Sequence, residues 1–215
     1  MTSIYIALPT TGQINGDLVK QLLDLQMDCI YNDDLDVAIR KHNGIPLDCN
    51  HNKIVKDFLA TDSDYLLLVE DDVSIEGKIH DAIKKLISAN KPIVSGLICI
   101  QYLGKIRPVI IKTIDGKGKY VDDFDPEPER NIKVHASGLA FTLIKRDVLE
   151  HMKKKYGAVF KYPYDEDGIV IQTEDVHFCH RAKELGYDIW VNTGILCNHH
   201  KKVNLMDVYL KKTEF

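Results

Sequence analysis

The hydrophobic positions of this chain alternate between short apolar runs and longer stretches in which apolar residues recur at helical spacing. The predicted strands cover residues 4–8, 36–40, 65–69 and 93–98. Between them, apolar positions fall on one helical face over residues 17–25, 54–59 and 79–86. Asp17 is the predicted cap of the first helix. This alternation predicts an α/β fold with a mainly parallel sheet and helices on both faces.

The second half of the chain has shorter runs that are separated by glycines. Gly104, Gly116 and Gly118 fall at turn positions within residues 101–120, which predicts a small antiparallel portion. Residues 121–129 are acidic and proline-rich and predict an exposed loop, whereas residues 134–144 return to the core. The remaining predicted elements are a helix at 146–152, a helix from Thr173, a strand at 187–191 after Gly186, and a short amphipathic helix from Val203 to Phe215.

Three consecutive carboxylates, Glu70, Asp71 and Asp72, directly follow the most apolar predicted strand. The residues after a parallel strand lie at the carboxyl edge of the sheet, where open α/β proteins bind ligands. Adjacent carboxylates repel one another, so the cluster costs free energy unless a cation lies among them. Oxygen ligands of this kind suit Mg²⁺ or Mn²⁺ together with substrate phosphates. The alternative interpretation is a solvated acidic turn.

Other candidate positions lie where predicted strands and helices begin or end. The candidates for contact with a bound ligand are Pro9, Thr10, Thr11, Asp48, Asn52, Ser137 and Gly138. Asp or Asn at a helix start is usually a cap, although such polar side chains would also suit a contact to phosphate or ribose. Glu174 and Asp175 occupy the first turn of the helix after Thr173, where the helix dipole favours their ionised forms even without a function.

Length and charge narrow the class of protein. The 215 residues are enough for one α/β domain with a sizeable core. A net charge of -4 offers no general basic surface, so no nucleic-acid partner is expected, and no apolar run is long enough to predict a transmembrane segment. Five scattered cysteines favour reduced thiols in a cytoplasm-like compartment. A zinc site built from His177, Cys179 and His180 and from Cys197, His199 and His200 is a weaker hypothesis, because His177 and Cys179 are two positions apart and would point away from each other on a helix.

Four of these features together resemble the GT-A nucleotide-sugar glycosyltransferases, close to inverting family 2. They are the first strand with its loop from Ile4 to Thr10, the strand end at the place of the family's D-x-D motif, the Thr173-Glu174-Asp175 helix start, and the late pair His199 and His200. The resemblance extends from the first strand to about His200. One departure is Glu70 in place of the first Asp, which could move a ribose contact onto Asp71.

The resemblance implies a single GT-A domain over residues 1–215, or the catalytic module of a longer protein, in the cytoplasm (the host cytoplasm for a viral protein). Asp72 with His199 or His200, of which His199 is favoured, would hold Mn²⁺ or Mg²⁺. Asp175 would act as the general base beside Glu174. The donor would be a nucleoside-diphosphate sugar, with UDP-sugar favoured. A hydroxyl of a carbohydrate, glycan or protein-linked acceptor would receive the sugar with inversion.

Two other function classes stay open on the sequence alone. Strand-end acids, a second acid pair and a histidine would also suit a metal-dependent phosphohydrolase or nuclease. The absence of a basic stripe argues against a nuclease. A nucleotide-sugar binding module without turnover is the other alternative, against which the presence of Asp175 argues.

Overall fold

The structure is a computed structural model and describes residues 1–102, 105–114, 117–121 and 130–201. The predicted turns at Gly104 and Gly116, most of the predicted acidic loop (residues 122–129) and the predicted helix from Val203 to Phe215 lie outside these ranges.

Strands and helices alternate along the first half of the chain, and strands dominate its middle. The helices are α1 (Gly16–Asn32), α2 (Leu47–Leu59), α3 (Ile79–Ser88), α4 (Arg146–Tyr156) and α5 (Glu174–Glu184). The strands are β1 (Thr2–Thr10), β2 (Leu35–Asn43), β3 (Tyr65–Val69), β4 (Val73–Ile75), β5 (Ile93–Tyr102), β6 (Lys105–Pro108), β7 (Ile110–Ile114), β8 (Lys117–Tyr120), β9 (Asn131–Val134), β10 (Ala136–Ser137), β11 (Phe141–Lys145) and β12 (Ile189–His199).

One large sheet with the strand order β2-β1-β3-β11-β5-β12-β4 organises the fold. Strands β1, β2, β3, β5 and β12 run in the same direction, and β11 is antiparallel between β3 and β5. The prediction of a mainly parallel α/β sheet is therefore confirmed. Strand β3 lies in the interior of the sheet, between β1 and β11, as its fully apolar sequence predicts.

Side chains of β3 alternate between two apolar layers, one on each face of the sheet. Leu66 and Leu68 join the layer formed with α2, α4 and α5, where Phe58 and Phe178 are fully buried. Leu67 and Val69 join the layer formed with α1 and α3. Full burial of one such side chain contributes roughly 1.5–3 kcal/mol. The alternation with period two explains why one strand needs helices on both faces.

The antiparallel portion is richer than the predicted hairpin. Strands β7, β8 and β10 form a separate three-stranded sheet, and β6 pairs with the outer half of β5. Strand β4, which has three residues, follows the carboxylates and pairs with the end of β12, was not predicted from the sequence. A strand this short carries too little periodicity to be recognised from sequence.

The predicted cap of α1 is wrong by two positions. Asn15 is the N-cap, and its side-chain oxygen accepts hydrogen bonds from the backbone N–H groups of Asp17 and Leu18. An N-cap oxygen reaches the second and third helical N–H groups, so the cap must precede the helix, whereas Asp17 already lies in its first turn.

Two further expectations from the sequence concern the oxidation state of the cysteines and the presence of a membrane-spanning segment. All five cysteines are free thiols in the structure. None of the helices in the described ranges has both the length and the apolar character that crossing a membrane requires.

Candidate functional site

The carboxyl edge of the sheet brings the ends of β3 and β12 together. Strand β4 follows Asp72 and pairs with β12, placing Val73 opposite His199. The backbone N–H of His200 also donates to the Asp72 carbonyl over 2.8 Å. The pairing that the sequence analysis missed is therefore what carries the two histidines to the strand-end carboxylates.

Glu70, Asp72 and His199 form a group that could hold a metal ion, with one potential ligand atom from each lying within 4.8 Å of the others. Nδ1 of His199 donates to the Cys99 carbonyl over 3.0 Å, which directs Nε2 towards Oδ2 of Asp72 at 3.3 Å. That contact lacks hydrogen-bond geometry, and the buried Nε2 has no hydrogen-bond partner among the described residues. An imidazole held by its other nitrogen is typical of metal-binding histidines. The donor set fits a divalent cation.

Electrostatics in this group favour an added cation. Burial, assisted by the charge of Asp72, raises the pKa of Glu70 to about 7. Burial also acts to raise the pKa of Asp72, but its interactions with His199 and Lys201 outweigh burial and lower that pKa to about 2. For His199, burial lowers the pKa, whereas the Asp72 carboxylate and the Cys99 carbonyl raise it by more. The group therefore retains a proton on Glu70 near neutral pH, and a bound cation could replace that proton.

Lys201 is a part of this site that the sequence analysis missed. Its ammonium lies 2.7 Å from Oδ2 of Asp72, the oxygen that His199 also approaches. The available signal was its position, two residues after the favoured histidine.

The structure separates the two candidate histidines. The ring of His200 hydrogen-bonds through Nε2 to the Ser74 hydroxyl over 2.7 Å. Among the described residues, the group of potential metal ligands contains His199 and does not contain His200.

The loop after β1 closes a cavity over the carboxylates. This cavity has a volume of about 250 Å³ and is lined by Pro9, Thr10, Thr11, Gly44, Ile45, Leu47, Asn50, Glu70, Asp71 and Asp72. A second cavity of about 470 Å³ adjoins it and is lined by Thr11, Gln13, Asp71, Asp72, His200 and Lys201. A larger cavity of about 720 Å³ runs along α1 and contains none of the three potential metal ligands.

Asp71 orders the loop after β1. Its Oδ2 accepts a hydrogen bond from the Thr11 N–H over 3.3 Å, and its carbonyl accepts one from the Asn15 N–H over 2.7 Å. Asn50 was not predicted as a site residue, yet it lies in the cavity wall with its Nδ2 donating to the His42 carbonyl. Its buried Oδ1 has no hydrogen-bond partner among the described residues.

Asn52 and Asp48 lie in the first half of α2, where Pro46 is the N-cap residue and makes no side-chain cap bond. The Asn52 side chain accepts hydrogen bonds from the N–H groups of Val159 and Phe160 and donates to the Phe160 carbonyl over 2.7 Å. Its amide is thus used by the segment after α4. Oδ1 of Asp48 accepts from the Cys49 N–H, within the first turn of the helix.

Glu174 and Asp175 begin α5 and point into different surroundings. Glu174 is only 5% exposed and lies beside Tyr162 and His51, whose Nδ1 is 3.8 Å from its Oε1. Asp175 is partly exposed, and its Oδ1 accepts from the Val176 N–H over 2.7 Å. Burial raises the pKa of both carboxyls, although hydrogen bonds from the Tyr162 side chain to Glu174 and from the Thr173 side chain to Asp175, together with backbone N–H groups, act in the opposite direction. Desolvation therefore outweighs the helix end in setting the direction of both pKa shifts.

Asp175 lies near enough to the metal-ligand group to influence it electrostatically. Its charge contributes to the raised pKa of Glu70. A Cβ placed on Gly138 would lie 4.0 Å from Oδ2 of Asp175 and 3.2 Å from Val109, so the backbone does approach other groups closely here. Ser137 is buried, and its hydroxyl faces that of Ser95 at 3.2 Å.

Of the six residues in the zinc hypothesis, only His199 belongs to a group of potential metal ligands in the described part of the chain. Cys179 is fully buried, with Sγ 3.7 Å from the Ser137 carbonyl. His180 instead faces His135, with their Nε2 atoms 2.9 Å apart. Neither residue belongs to the group of potential metal ligands found in the part of the chain that the structure describes.

No family model matches the sequence, and no curated protein matches it. Among solved structures, the viral protein A197 from STIV is 18% identical with a TM-score of 0.58, and the match covers 94% of this chain and 87% of that one. GalNAc-T7, solved with UDP, GalNAc and Mn²⁺, is 12% identical with a TM-score of 0.51. That match covers 94% of this chain but only 44% of the GalNAc-T7 chain.

The protein has a GT-A-like Rossmann fold. The likeness to these structures shows the fold only. It does not extend to membership of family 2, which the sequence features resemble.

Proposed function

We propose that the protein is a metal-dependent glycosyltransferase that moves a sugar from a nucleoside-diphosphate sugar to an acceptor hydroxyl with inversion. The observation that carries this proposal is the convergence of Glu70, Asp72 and His199 at the carboxyl edge of a GT-A-like sheet, with Asp175 near enough for its charge to contribute to the raised pKa of Glu70. The site residues, the family 2 assignment and the single domain over residues 1–215 are parts of the same proposal.

The donor would occupy the two adjoining cavities. The apolar side chains of Ile45 and Leu47 suit a nucleobase, and the carboxylate end suits a diphosphate with its cation. Asp72 and His199, with Glu70, would hold Mn²⁺ or Mg²⁺, which would neutralise charge on the leaving diphosphate. UDP is the favoured nucleotide, supported by the UDP and Mn²⁺ in the GalNAc-T7 structure.

Asp175 is the proposed general base. It is partly exposed and lies at the start of a helix, a rigid support for a reacting group. Burial raises the pKa of Asp175 towards neutral pH. A carboxylate with a higher pKa accepts a proton from a hydroxyl more effectively. Buried Glu174, held beside His51 and Tyr162, would position the helix start.

The acceptor would be a carbohydrate, a glycan or a protein-linked group, and the reaction would take place in the cytoplasm (of the host for a viral protein). These assignments follow from the resemblance to the family.

Incubation with a panel of UDP-sugars, with and without Mn²⁺, tests the proposal. We expect release of free UDP that depends on the metal and on a supplied acceptor, together with NMR evidence of an inverted anomeric centre. Release of product from a phosphodiester, with no UDP released from any sugar donor, would favour the phosphohydrolase alternative. Metal-dependent UDP binding without turnover would favour a binding module.

A further inference from the structure

Asp72 has a second cationic neighbour besides His199. The Nζ of Lys201 and the Nε2 of His199 approach the same carboxylate oxygen, Oδ2, at 2.7 and 3.3 Å. The lysine makes the shorter contact and therefore satisfies the negative charge of Asp72 directly.

A divalent cation held between His199 and Oδ2 of Asp72 would compete with the Lys201 ammonium, which occupies the same oxygen. The two positive charges would also repel each other at this separation. The Lys201 side chain is 56% exposed, so it can leave Asp72 without unpacking the core. A lysine ammonium is also a mobile point charge on a flexible stem.

The adjoining cavity provides a destination for the displaced ammonium. Lys201 lines the cavity of about 470 Å³, which shares Thr11, Asp71 and Asp72 with the cavity beneath the β1 loop. Among the described residues that line these two cavities, Lys201 is the only lysine or arginine. Glu70, Asp71 and Asp72 make the cavities acidic. A bound diphosphate would be repelled by these carboxylates, so cations are needed there to offset the negative charge.

We propose that Lys201 is an exchangeable partner of Asp72, which neutralises that carboxylate when no metal is bound and moves to the diphosphate of the donor when a divalent cation takes its place. Lys201 is thus a positioning residue for the donor and a competitor of the metal. This inference rests on the proposed donor site, but it makes its own prediction for binding of the metal without nucleotide.

The test is calorimetry on the full chain with Lys201→Met, which keeps the apolar stem and removes the charge. Titration with Mn²⁺ alone should show affinity raised roughly two- to fivefold, the range expected when a partly exposed ion pair no longer competes. Titration with UDP at saturating Mn²⁺ should show affinity lowered about tenfold or more, because a charge-assisted hydrogen bond to phosphate is lost.

Lys133→Met is the matched control. Lys133 pairs with Asp188 at 2.7 Å, with side-chain exposures of 55% and 40% against 56% and 35% for the Lys201–Asp72 pair. It should change neither affinity. Lys201→Gln repeats the test with a polar neutral side chain, and equal melting temperatures show that each variant is folded.

The two affinities must move in opposite directions. Unchanged Mn²⁺ affinity, or a parallel loss of both affinities, in folded Lys201 variants overturns the exchange while leaving the donor site intact. If neither the wild-type protein nor the variants bind Mn²⁺, the proposed donor site and the exchange both fail. A third outcome is possible, in which Mn²⁺ affinity rises in Lys201→Met while the UDP affinity of the wild type is independent of Mn²⁺. This result would support competition between Lys201 and the metal, and it would contradict the movement of Lys201 to the diphosphate.

Discussion

Nε2 of His199 lies 3.3 Å from Oδ2 of Asp72, and the opposite nitrogen of the same ring donates to the Cys99 carbonyl. Cys99 belongs to β5, so two neighbouring strands fix the direction of the ring. The arrangement resembles a metal ligand with its supporting hydrogen bond already formed. It also makes the contributions of the two adjacent histidines separable by experiment.

Removal of Asp72 or His199, two of the three potential metal ligands, should weaken the dependence of UDP binding on the metal. Asp72→Ala should abolish the increase in UDP affinity that Mn²⁺ causes, and His199→Ala should weaken it by about tenfold, as expected for the loss of one ligand. His200→Ala is the matched control, since His200 bonds to Ser74, and it should retain most of the increase. Calorimetry with UDP in EDTA and in Mn²⁺ measures the difference. A larger loss for His200→Ala than for His199→Ala would assign the ligand to His200.

Glu70 should make the metal-free protein less stable as the pH rises. Its folded pKa of about 7 lies above the ordinary value of 4.5, so between these values the folded chain holds a proton that the unfolded chain has released. The free energy of unfolding should therefore decrease across this window. Glu70→Gln removes this decrease, and in EDTA at pH 8 it should be more stable than the wild type by roughly 1–3 kcal/mol.

Denaturant unfolding at pH 5 and pH 8 measures the effect. At pH 5 the two proteins should differ little, because Glu70 is protonated in the folded state. Asp72 has the opposite effect on stability. Its folded pKa of about 2 lies below the ordinary value of 3.8, so its stabilisation is complete above 3.8 and is lost as the pH falls towards 2. A Glu70→Gln advantage that is equal at both pH values would show that the burial of charge is not its cause. Mn²⁺ should increase the free energy of unfolding of the wild type more than that of Glu70→Gln, because the variant lacks one potential metal ligand.

Asp175→Asn should reduce turnover by about 10²-fold or more while leaving UDP-sugar affinity nearly unchanged, because it keeps the shape and removes the proton acceptor. Asp147→Asn is a matched control. Asp147 lies in the first turn of α4 and accepts from the Val148 N–H at 2.9 Å, as Asp175 does from Val176 at 2.7 Å. The helix dipole alone would make an acid at this position worth about 0.3–1 kcal/mol, and at Asp175 burial opposes this contribution.

Transfer rate and melting temperature on the same proteins separate these roles. Near-normal turnover of Asp175→Asn with a lowered melting temperature would make Asp175 structural and place the base elsewhere. Glu174→Gln should reduce turnover less than Asp175→Asn does, because buried Glu174 faces His51 and Tyr162.

Asn52→Ala should lower the stability of the fold more than it lowers the affinity for the donor. The change removes the hydrogen bonds that hold Val159 and Phe160, at a cost of about 2–3 kcal/mol, or roughly 4–12 °C in melting temperature. Asn32→Ala, which loses one bond to the Asp28 carbonyl at the end of α1, should cost less than about 1 kcal/mol. An Asn52→Ala protein with unchanged melting temperature and much weaker UDP binding would instead make Asn52 a donor contact.

Periodicity was sufficient to predict the parallel strands of the first half of the chain and the helices between them. Strand β3 is apolar on both faces, so it had to lie in the interior of the sheet, and its end had to present Glu70 to Asp72 at the carboxyl edge. The helical spacing of α1, α2 and α3 was equally clear. Helix boundaries were less precise, and the cap of α1 was placed at Asp17 because Asp and Asn are both good caps.

Contacts between distant parts of the chain were decided only by the tertiary structure. His199 and His200 are adjacent and chemically equal in the sequence, and the pairing of β12 with β4 and β5 directs one to Asp72 and the other to Ser74. The raised pKa of Asp175 likewise depends on burial, which outweighs the local effect of the helix end. The sequence by itself determined which residue types reach the carboxyl edge, because local periodicity sets each strand and helix. Their partners depended on strand register and desolvation, which arise only when the whole chain packs together.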